Sequence, residues 1–409
     1  MDQHLDEQWQ QRLEKTATNL AQVSPTFCAA KWSQVTLHLQ NGMTHSCHHP
    51  RPHKIPLDEL KANSDALHNT RFKQSQRQLM REGKRPQECD FCWRVEDASQ
   101  NTFSDRFIKS SDQWAPQDFA QLSQEDSPTP TYLEVSFSNT CNLKCMYCSP
   151  EVSSSIWGEY EKHGPYPVGS SHSIEWYKAN ERRPYLPNEV NPYVQAFEEW
   201  FPKVLPKLKV FRITGGEPLL NPQTFKTLDF LRENHFPELS LSINTNLMIS
   251  ETTLDQIAEV MEDLAVNKKV KDVRLYTSVD AHGAQANWIR NGMDYRVLMK
   301  HAHRFLKAAP HVSLTFIATH NVFSFSSFNL MLSDILDMKR AHMRDMRPEP
   351  RVMVDITYLR DPSYLSSIIA PEGMRSLARH SLEFMERNIE SPRMPWGFNR
   401  YERNKMRRL

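Results

Sequence analysis

From residue 131 onward, short apolar β-rich runs alternate with helical segments, and this rhythm constrains the fold more than any other feature. The runs are Tyr132–Phe137, Lys209–Thr214, Leu239–Asn244, Val273–Val279, Val312–Thr319 and Val352–Leu359. Helices are expected between and after them, at about 191–205, 222–234, 251–265, 293–308, 326–340 and 371–388. Such alternation implies a parallel sheet with right-handed crossovers. Six repeats are too few for a closed eight-fold barrel. The expectation is therefore an α/β fold: a curved, open, partial (β/α)6 barrel over 131–360, with short buried strands and its chemistry at the C-terminal strand ends.

The remaining chain divides by composition. Residues 1–25 read as a helix from the spacing of Leu5, Leu13 and Leu20. Residues 26–97 are a small Cys/His-rich unit running from FCAAKW to ECDFCWRVED, and 98–130 read as a polar connector. Residues 151–190, rich in Tyr, Trp, Pro and Ser, interrupt the rhythm after the first strand. They read either as a substrate-facing lid over the barrel mouth or as a plain surface excursion. Residues 361–409 hold a C-terminal helix and a basic tail, RYERNKMRRL.

Composition excludes several classes of function. A length of 409 residues suggests two or three domains. Apolar residues at 39% and charged residues at 24% mark an ordinary globular chain. No stretch reaches the ~18 apolar residues of a membrane helix. The opening MDQHLDEQWQ is too polar for a secretory signal, so the expected location is cytoplasmic. With 50 Lys+Arg against 49 Asp+Glu, phosphate neutralisation is not the chain's main task. The basic tail reads as a solvated end, with a nucleic-acid contact as the minority reading.

Seven cysteines then need explaining: Cys28, Cys47, Cys89 and Cys92, then Cys141, Cys145 and Cys148. The odd count does not close into intramolecular disulfides. The triplet Cys141-Asn-Leu-Lys-Cys145-Met-Tyr-Cys148 directly follows the strand YLEVSF. Three thiolates on one loop can hold three irons of a [4Fe–4S] cube and leave the fourth without a protein ligand. Zinc wants a fourth ligand, and none stands out beside Ser149 and Pro150. The quartet makes a closed four-thiolate site that suits zinc or iron–sulfur equally. His45, His48, His49 and His53 crowd Cys47 and read as polar neighbours rather than ligands.

The second strand ends Thr214-Gly215-Gly216-Glu217-Pro218. Adjacent glycines admit a ligand close to the backbone, and Glu217 with nearby carbonyls can receive an ammonium group. Together with CxxxCxxC and the aromatic Tyr147, this resembles the radical S-adenosylmethionine (SAM) superfamily. The resemblance implies that 215–218 binds the methionine amino group. It also implies that Tyr147, Asn244, Asn246, Ser278 and Arg290 contact the cofactor, with Ser278 and Arg290 on its carboxylate and ribose. The upstream unit resembles the twitch module, a reduced SPASM domain: Phe27-Cys28, Trp32, Gly42, Cys47, Asn69, Arg77, Gly83, Pro86, Glu88-Cys89, Cys92 and Glu96. That implies a second, auxiliary [4Fe–4S] cluster, with zinc as the alternative.

The implied mechanism is reductive cleavage of SAM to a 5′-deoxyadenosyl radical that abstracts a hydrogen atom. The electron donor expected from the resemblance is a flavodoxin or ferredoxin. If every cysteine binds iron, no thiol remains to quench a radical, which favours an oxidative outcome over epimerisation. Asp280 and Asp355 are candidate bases for the accompanying proton. The expected substrate is a peptide or protein, with a small molecule as the alternative. A non-catalytic zinc or iron–sulfur module contacting nucleic acid is the competing class, and it does not explain the open triplet beside GGEP.

Overall fold

The computed structural model describes residues 2–99, 102–169, 171–343 and 350–409, with side chains from residue 7 onward. The chain forms two compact units, 1–136 with 184–212, and 137–183 with 213–409.

In the first unit, helix Asp2–Val23 buries Leu13 and Leu20. The Leu5 side chain lies outside the described residues. Helix Ala29–Ser33 leads into β1 (Gln34–His38), β2 (Met43–His45) and β3 (His53–Lys54), paired antiparallel in sequence. Gly42 lies between β1 and β2 at φ +67°, and a Cβ there would sit 2.1 Å from the Tyr193 ring. Glycine is required on both counts. β4 (Tyr132–Ser136) joins β1 in parallel, with Gln34 opposite Tyr132 and His38 opposite Ser136. The first strand of the β/α rhythm therefore shares a sheet with the Cys-rich segment.

Phe27, Trp32, Met80, Trp93, Phe119 and Leu122 form a core in this unit. Two of these come from the stretch read as a connector, whose helices Asp105–Ser110 and Phe119–Gln124 pack rather than link. Its polar composition conceals the short apolar spacing that buries Phe119 and Leu122. Gln100 and Asn101 of that stretch, and Ser170 of the 151–190 segment, lie outside the described residues.

The later strands are β5 (Lys144–Cys145), β6 (Val210–Thr214), β7 (Phe236–Thr245), β8 (Val270–Ser278), β9 (Arg290–Asn291), β10 (Ser313–His320) and β11 (Val352–Tyr358). In the second unit β7, β8, β10 and β11 run parallel, neighbour to neighbour. Helices Glu251–Val266, Tyr295–Ala308 and Phe328–Ala341 connect them. This is the expected α/β arrangement.

The strands are not buried on both faces, however. Leu241, Ile243, Leu275, Leu314, Phe316 and Val354 form a closed apolar row. The opposite face carries half-buried Asn244, Tyr276, Ser278, Ile317, Thr319 and Asp355. An open barrel packs helices on one face only, so the other face is left with a mixed, mostly polar set of half-buried side chains.

Helix Arg400–Arg407 covers the β11 edge. Glu402 there accepts from the Val354 N–H at 2.8 Å and from Lys339 Nζ at 2.8 and 2.9 Å, all buried. Among the described residues, no helix is long and apolar enough to cross a membrane.

Candidate active site

The cysteine triplet occupies a loop whose first residues are fixed by the segment that follows it. Ser153 caps helix Ser154–His163, and its hydroxyl donates to the Leu143 carbonyl at 2.7 Å. Ser154 Oγ accepts the Cys141 N–H at 3.1 Å, and Ser155 Oγ donates to the Cys141 carbonyl at 2.7 Å. These three serines begin the 151–190 segment, so part of that segment is a brace for the cysteine loop. Its helices Ser154–His163 and Ile174–Ala179 bury Ile156, Trp157, Tyr160, Ile174 and Tyr177, and Cys148 packs against that cluster.

The glycine motif closes on the same loop. The Gly216 N–H reaches the Ser138 carbonyl at 3.4 Å, and the Glu217 N–H reaches that of Thr140 at 2.7 Å. A Cβ on Gly216 would lie 2.4 Å from the Thr140 oxygen and 2.8 Å from that of Asn139. Gly215 has φ +127°, a conformation that favours glycine. Buried Pro218 then opens a short 3-10 turn, Pro218–Leu220.

Glu217 is 1% exposed. Its carboxylate accepts from Thr245 Oγ1 at 2.8 Å, the Asn246 N–H at 2.6 Å and the Leu219 N–H at 3.0 Å. Burial nevertheless pushes its pKa up to about 7, because these donors only partly replace lost hydration. The side chain thus ties the GGEP turn to the end of β7. Asn246 continues the connection: its Nδ2 donates to Asn142 Oδ1 at 2.9 Å and lies 4.0 Å from Cys141 Sγ.

A third contact comes from 289–292. β9 pairs with β5, setting Arg290 opposite Cys145, and the Met146 N–H donates to the Ile289 carbonyl at 3.0 Å. Gly292, at φ +102°, leaves only 2.9 Å between a would-be Cβ and Leu143 Cδ2. Arg290 Nη1 lies 3.8 Å from Cys145 Sγ. Its Nε and Nη2 donate to Asp280 at 2.8 and 3.1 Å, and its guanidinium sits 5.5 Å over the Tyr147 ring. Asp280, fully buried, also accepts from the Tyr147 hydroxyl at 2.7 Å and the Thr319 N–H at 2.8 Å.

The loop brings Cys141, Cys145, Cys148, Tyr147, Gly215, Gly216, Glu217, Pro218, Asn246 and Arg290 into one connected set. Ser278 ends β8 and Asn244 stands one residue before the end of β7, both on the polar face of the sheet. Asp355 shares that face, opposite Ile317, which is in turn opposite Ser278. Its carboxylate, however, meets Lys405 Nζ at 3.0 Å and the Tyr401 hydroxyl at 3.3 Å on the C-terminal helix. Asp280, with four donors on two oxygens, is likewise engaged. The sequence reading missed the Asp280–Arg290 pair, the Ser153–Ser155 brace and Gly292. The scarcity of glycine, 11 in the chain, was the available signal for the last.

The donors around the triplet fit an iron–sulfur group. Cys141 Sγ accepts the Leu143 N–H at 3.4 Å, Arg290 faces Cys145, and the chain supplies no fourth cysteine to this loop. Without a metal, burial pushes the Cys141 thiol up to about 11. The hydrogen bond between Cys145 and Cys148 lowers the former to about 7 and raises the latter. A metal would hold all three as thiolates.

The other four cysteines meet in the first unit. Cys28, Cys47, Cys89 and Cys92 line one cavity with Lys31, His49, Met80 and Trp93. His49 does not turn to the sulfurs. It stacks on Phe91 with centroids 3.8 Å apart, and its Nε2 is 2.7 Å from Asp105 Oδ2. Burial raises the thiols of Cys47 and Cys89, the latter to about 11. Buried Lys31 points the other way: desolvation lowers its pKa, while thiolates at Cys89, Cys47 and Cys28 raise it. A closed four-thiolate metal site satisfies both sets.

A sequence model of the Radical SAM superfamily matches residues 135–333. No curated protein sequence matches the chain. Among solved structures, it resembles native anSMEcpe with bound AdoMet at 17% identity and TM-score 0.38, covering 64% of this chain and 62% of the other. Streptococcus suis SuiB resembles it at 14% identity and TM-score 0.42, covering 79% and 62%. Streptococcus suis SuiB bound to its precursor peptide SuiA gives 15% identity and TM-score 0.40, covering 90% and 71%. The chain spans less than two thirds of the first two.

Proposed function

We propose, from the radical SAM domain over 135–333, that this protein is a radical SAM enzyme with an auxiliary cluster in a twitch-like unit. The observation that carries the reading is the cysteine loop clamped by the Gly216–Glu217 backbone, with three sulfurs and no fourth cysteine. In this reading Cys141, Cys145 and Cys148 hold a [4Fe–4S] cluster. Cys28, Cys47, Cys89 and Cys92 hold a second. Bound together, the first cluster and SAM supply a reductively generated 5′-deoxyadenosyl radical that abstracts hydrogen.

The chain's own residues position that chemistry. The Gly215 and Gly216 carbonyls receive the methionine ammonium, because the Glu217 carboxylate is engaged with β7. Asn244 and Ser278 contact the cofactor from the strand ends. Arg290 supports Cys145 and Tyr147 instead of clamping a carboxylate, since its donors go to Asp280. Asp280 and Asp355 both act structurally, and neither is the base.

The substrate in this reading is a peptide or protein in the cytoplasm; a flavodoxin or ferredoxin would supply the electron that cleaves SAM, and the auxiliary cluster would accept the electron that the substrate radical gives up. The test is iron and sulfide content after anaerobic reconstitution, beside a Cys141/Cys145/Cys148→Ala variant. Two clusters correspond to about eight irons falling to about four. Loss of all iron in the variant would remove the auxiliary cluster and the preference for oxidation.

A further inference from the structure

The four-cysteine cavity contains a cation that thiolate ligation does not itself require. Lys31 lies three residues after Cys28, on helix Ala29–Ser33, with its side chain 3% exposed. Its Nζ is 3.9 Å from Cys89 Sγ and is paired with Glu88, the residue preceding Cys89. Arg77 Nε holds the Lys31 carbonyl at 3.1 Å, which fixes the backbone that aims the side chain. Cation and counter-ion are therefore both carried by ligand-bearing segments.

Two other cations line the cavity: Arg106 is held by a carboxylate, and Lys109 meets a histidine while its charge also lowers the Cys47 thiol. Arg106 is held by Glu96, Nε at 3.1 Å and Nη2 at 2.9 Å. Lys109 Nζ faces His48 Nδ1 at 3.3 Å. Among the described residues, Lys31 is the cation that reaches a sulfur of this quartet.

A buried ammonium is costly unless negative charge compensates it. Four thiolates on an oxidised [4Fe–4S] core carry a net charge of about −2, and one added electron makes it about −3. The attraction of a nearby cation grows with that charge. Net charge and hydrogen bonds to the sulfurs are the protein's levers on cluster potential.

We propose that Lys31 is a potential-setting residue of the four-cysteine site, its ammonium stabilising the reduced state of the group bound there. Glu88 opposes it and holds it in place. The inference rests on the reading that this group is a [4Fe–4S] cluster. The electron comes from the reductant, and no bond is made or broken.

The experiment is a dithionite redox titration followed by electron paramagnetic resonance on the full chain. The Cys141/Cys145/Cys148→Ala background leaves only the auxiliary signal, and iron and sulfide are counted first. Lys31→Met is expected to weaken reduction at least tenfold, about 59 mV downward for one electron. Glu88→Gln shifts the potential upward, and Lys31→Arg keeps it near the unsubstituted value. An unchanged potential in an iron-loaded Lys31→Met variant overturns the proposal and leaves the cluster reading intact. Shifts of the same sign in Lys31→Met and Glu88→Gln also overturn it, since packing damage has no charge sign. If Lys31→Met does not fold, the absence of an upward shift in Glu88→Gln decides against it. Zinc in place of iron in the unsubstituted quartet overturns the cluster reading, and this role with it.

Discussion

Asp280 takes both Nε and Nη2 of Arg290, at 2.8 and 3.1 Å, and thereby aims the remaining nitrogen at the Cys145 sulfur 3.8 Å away. The pair is buried, so its value lies in direction rather than in attraction. Asp280→Ala would leave the guanidinium unpaired and the Tyr147 hydroxyl without its acceptor. We expect a loss of about 3–5 kcal/mol in denaturant unfolding, and reduced iron loading of the triplet at temperatures where the protein stays folded. Unchanged stability would show that Arg290 finds another partner.

Gly216→Ala sets a methyl group 2.4 Å from the Thr140 oxygen. The arm leading to Cys141 must then move. The expected result is loss of SAM binding by calorimetry, with a far smaller effect on the four-cysteine cluster. Gly158 is the control: a Cβ there meets nothing within 4 Å, and the residue lies inside helix Ser154–His163. Gly158→Ala should stabilise by about 0.5–1 kcal/mol.

Glu217 gives a pH signature. Its pKa rises from the ordinary value of 4.5 to about 7 on burial, so the folded state keeps the proton that the unfolded state loses. Stability from this group is fully present below about pH 4.5 and falls as pH rises to about 7, by roughly 3 kcal/mol. The difference between wild-type and Glu217→Gln unfolding free energies, measured from pH 4 to 8, should reveal this slope. A flat difference would mean that the donors around the carboxylate already hold it ionised.

Asp355 and Glu402 lie close together on the β11 edge but differ in burial. The Lys405–Asp355 pair is about one quarter exposed, whereas Lys339–Glu402 is buried. Asp355→Asn should cost no more than about 1 kcal/mol and leave 5′-deoxyadenosine formation unchanged. Glu402→Ala should cost about 3–5 kcal/mol, because it strands the Lys339 ammonium. Thermal unfolding of the two variants would reverse this order only if the C-terminal helix does not hold the edge.

The parts of the fold legible in the sequence are those set by local period. The strand–helix rhythm located β7, β8, β10 and β11 to within a few residues, since each strand is written as a short apolar, β-rich run bounded by a helical segment. The cysteine spacing and Gly215-Gly216 were visible because ligand sets and close backbone approach need particular residues at particular intervals. Pairings across long separations were not visible. Nothing local to Asp280 announces Arg290 and Tyr147 as its partners, and nothing in KWSQVTLH announces that β1 lies beside β4. Nothing in FCAAKW announces that Lys31 lies beside Cys89. Only the convergence of Cys28 and Cys89 encloses it.

In the proposed reading, Cys141, Cys145 and Cys148 together support SAM cleavage. The most direct test is chromatographic measurement of 5′-deoxyadenosine and methionine from the anaerobically reconstituted, dithionite-reduced protein and from its Cys141/Cys145/Cys148→Ala variant. Equal amounts of both products are expected from the unsubstituted protein, and neither from the variant. An iron-loaded unsubstituted protein that leaves SAM intact, or a variant that cleaves it equally well, would show that the triplet does not carry this chemistry.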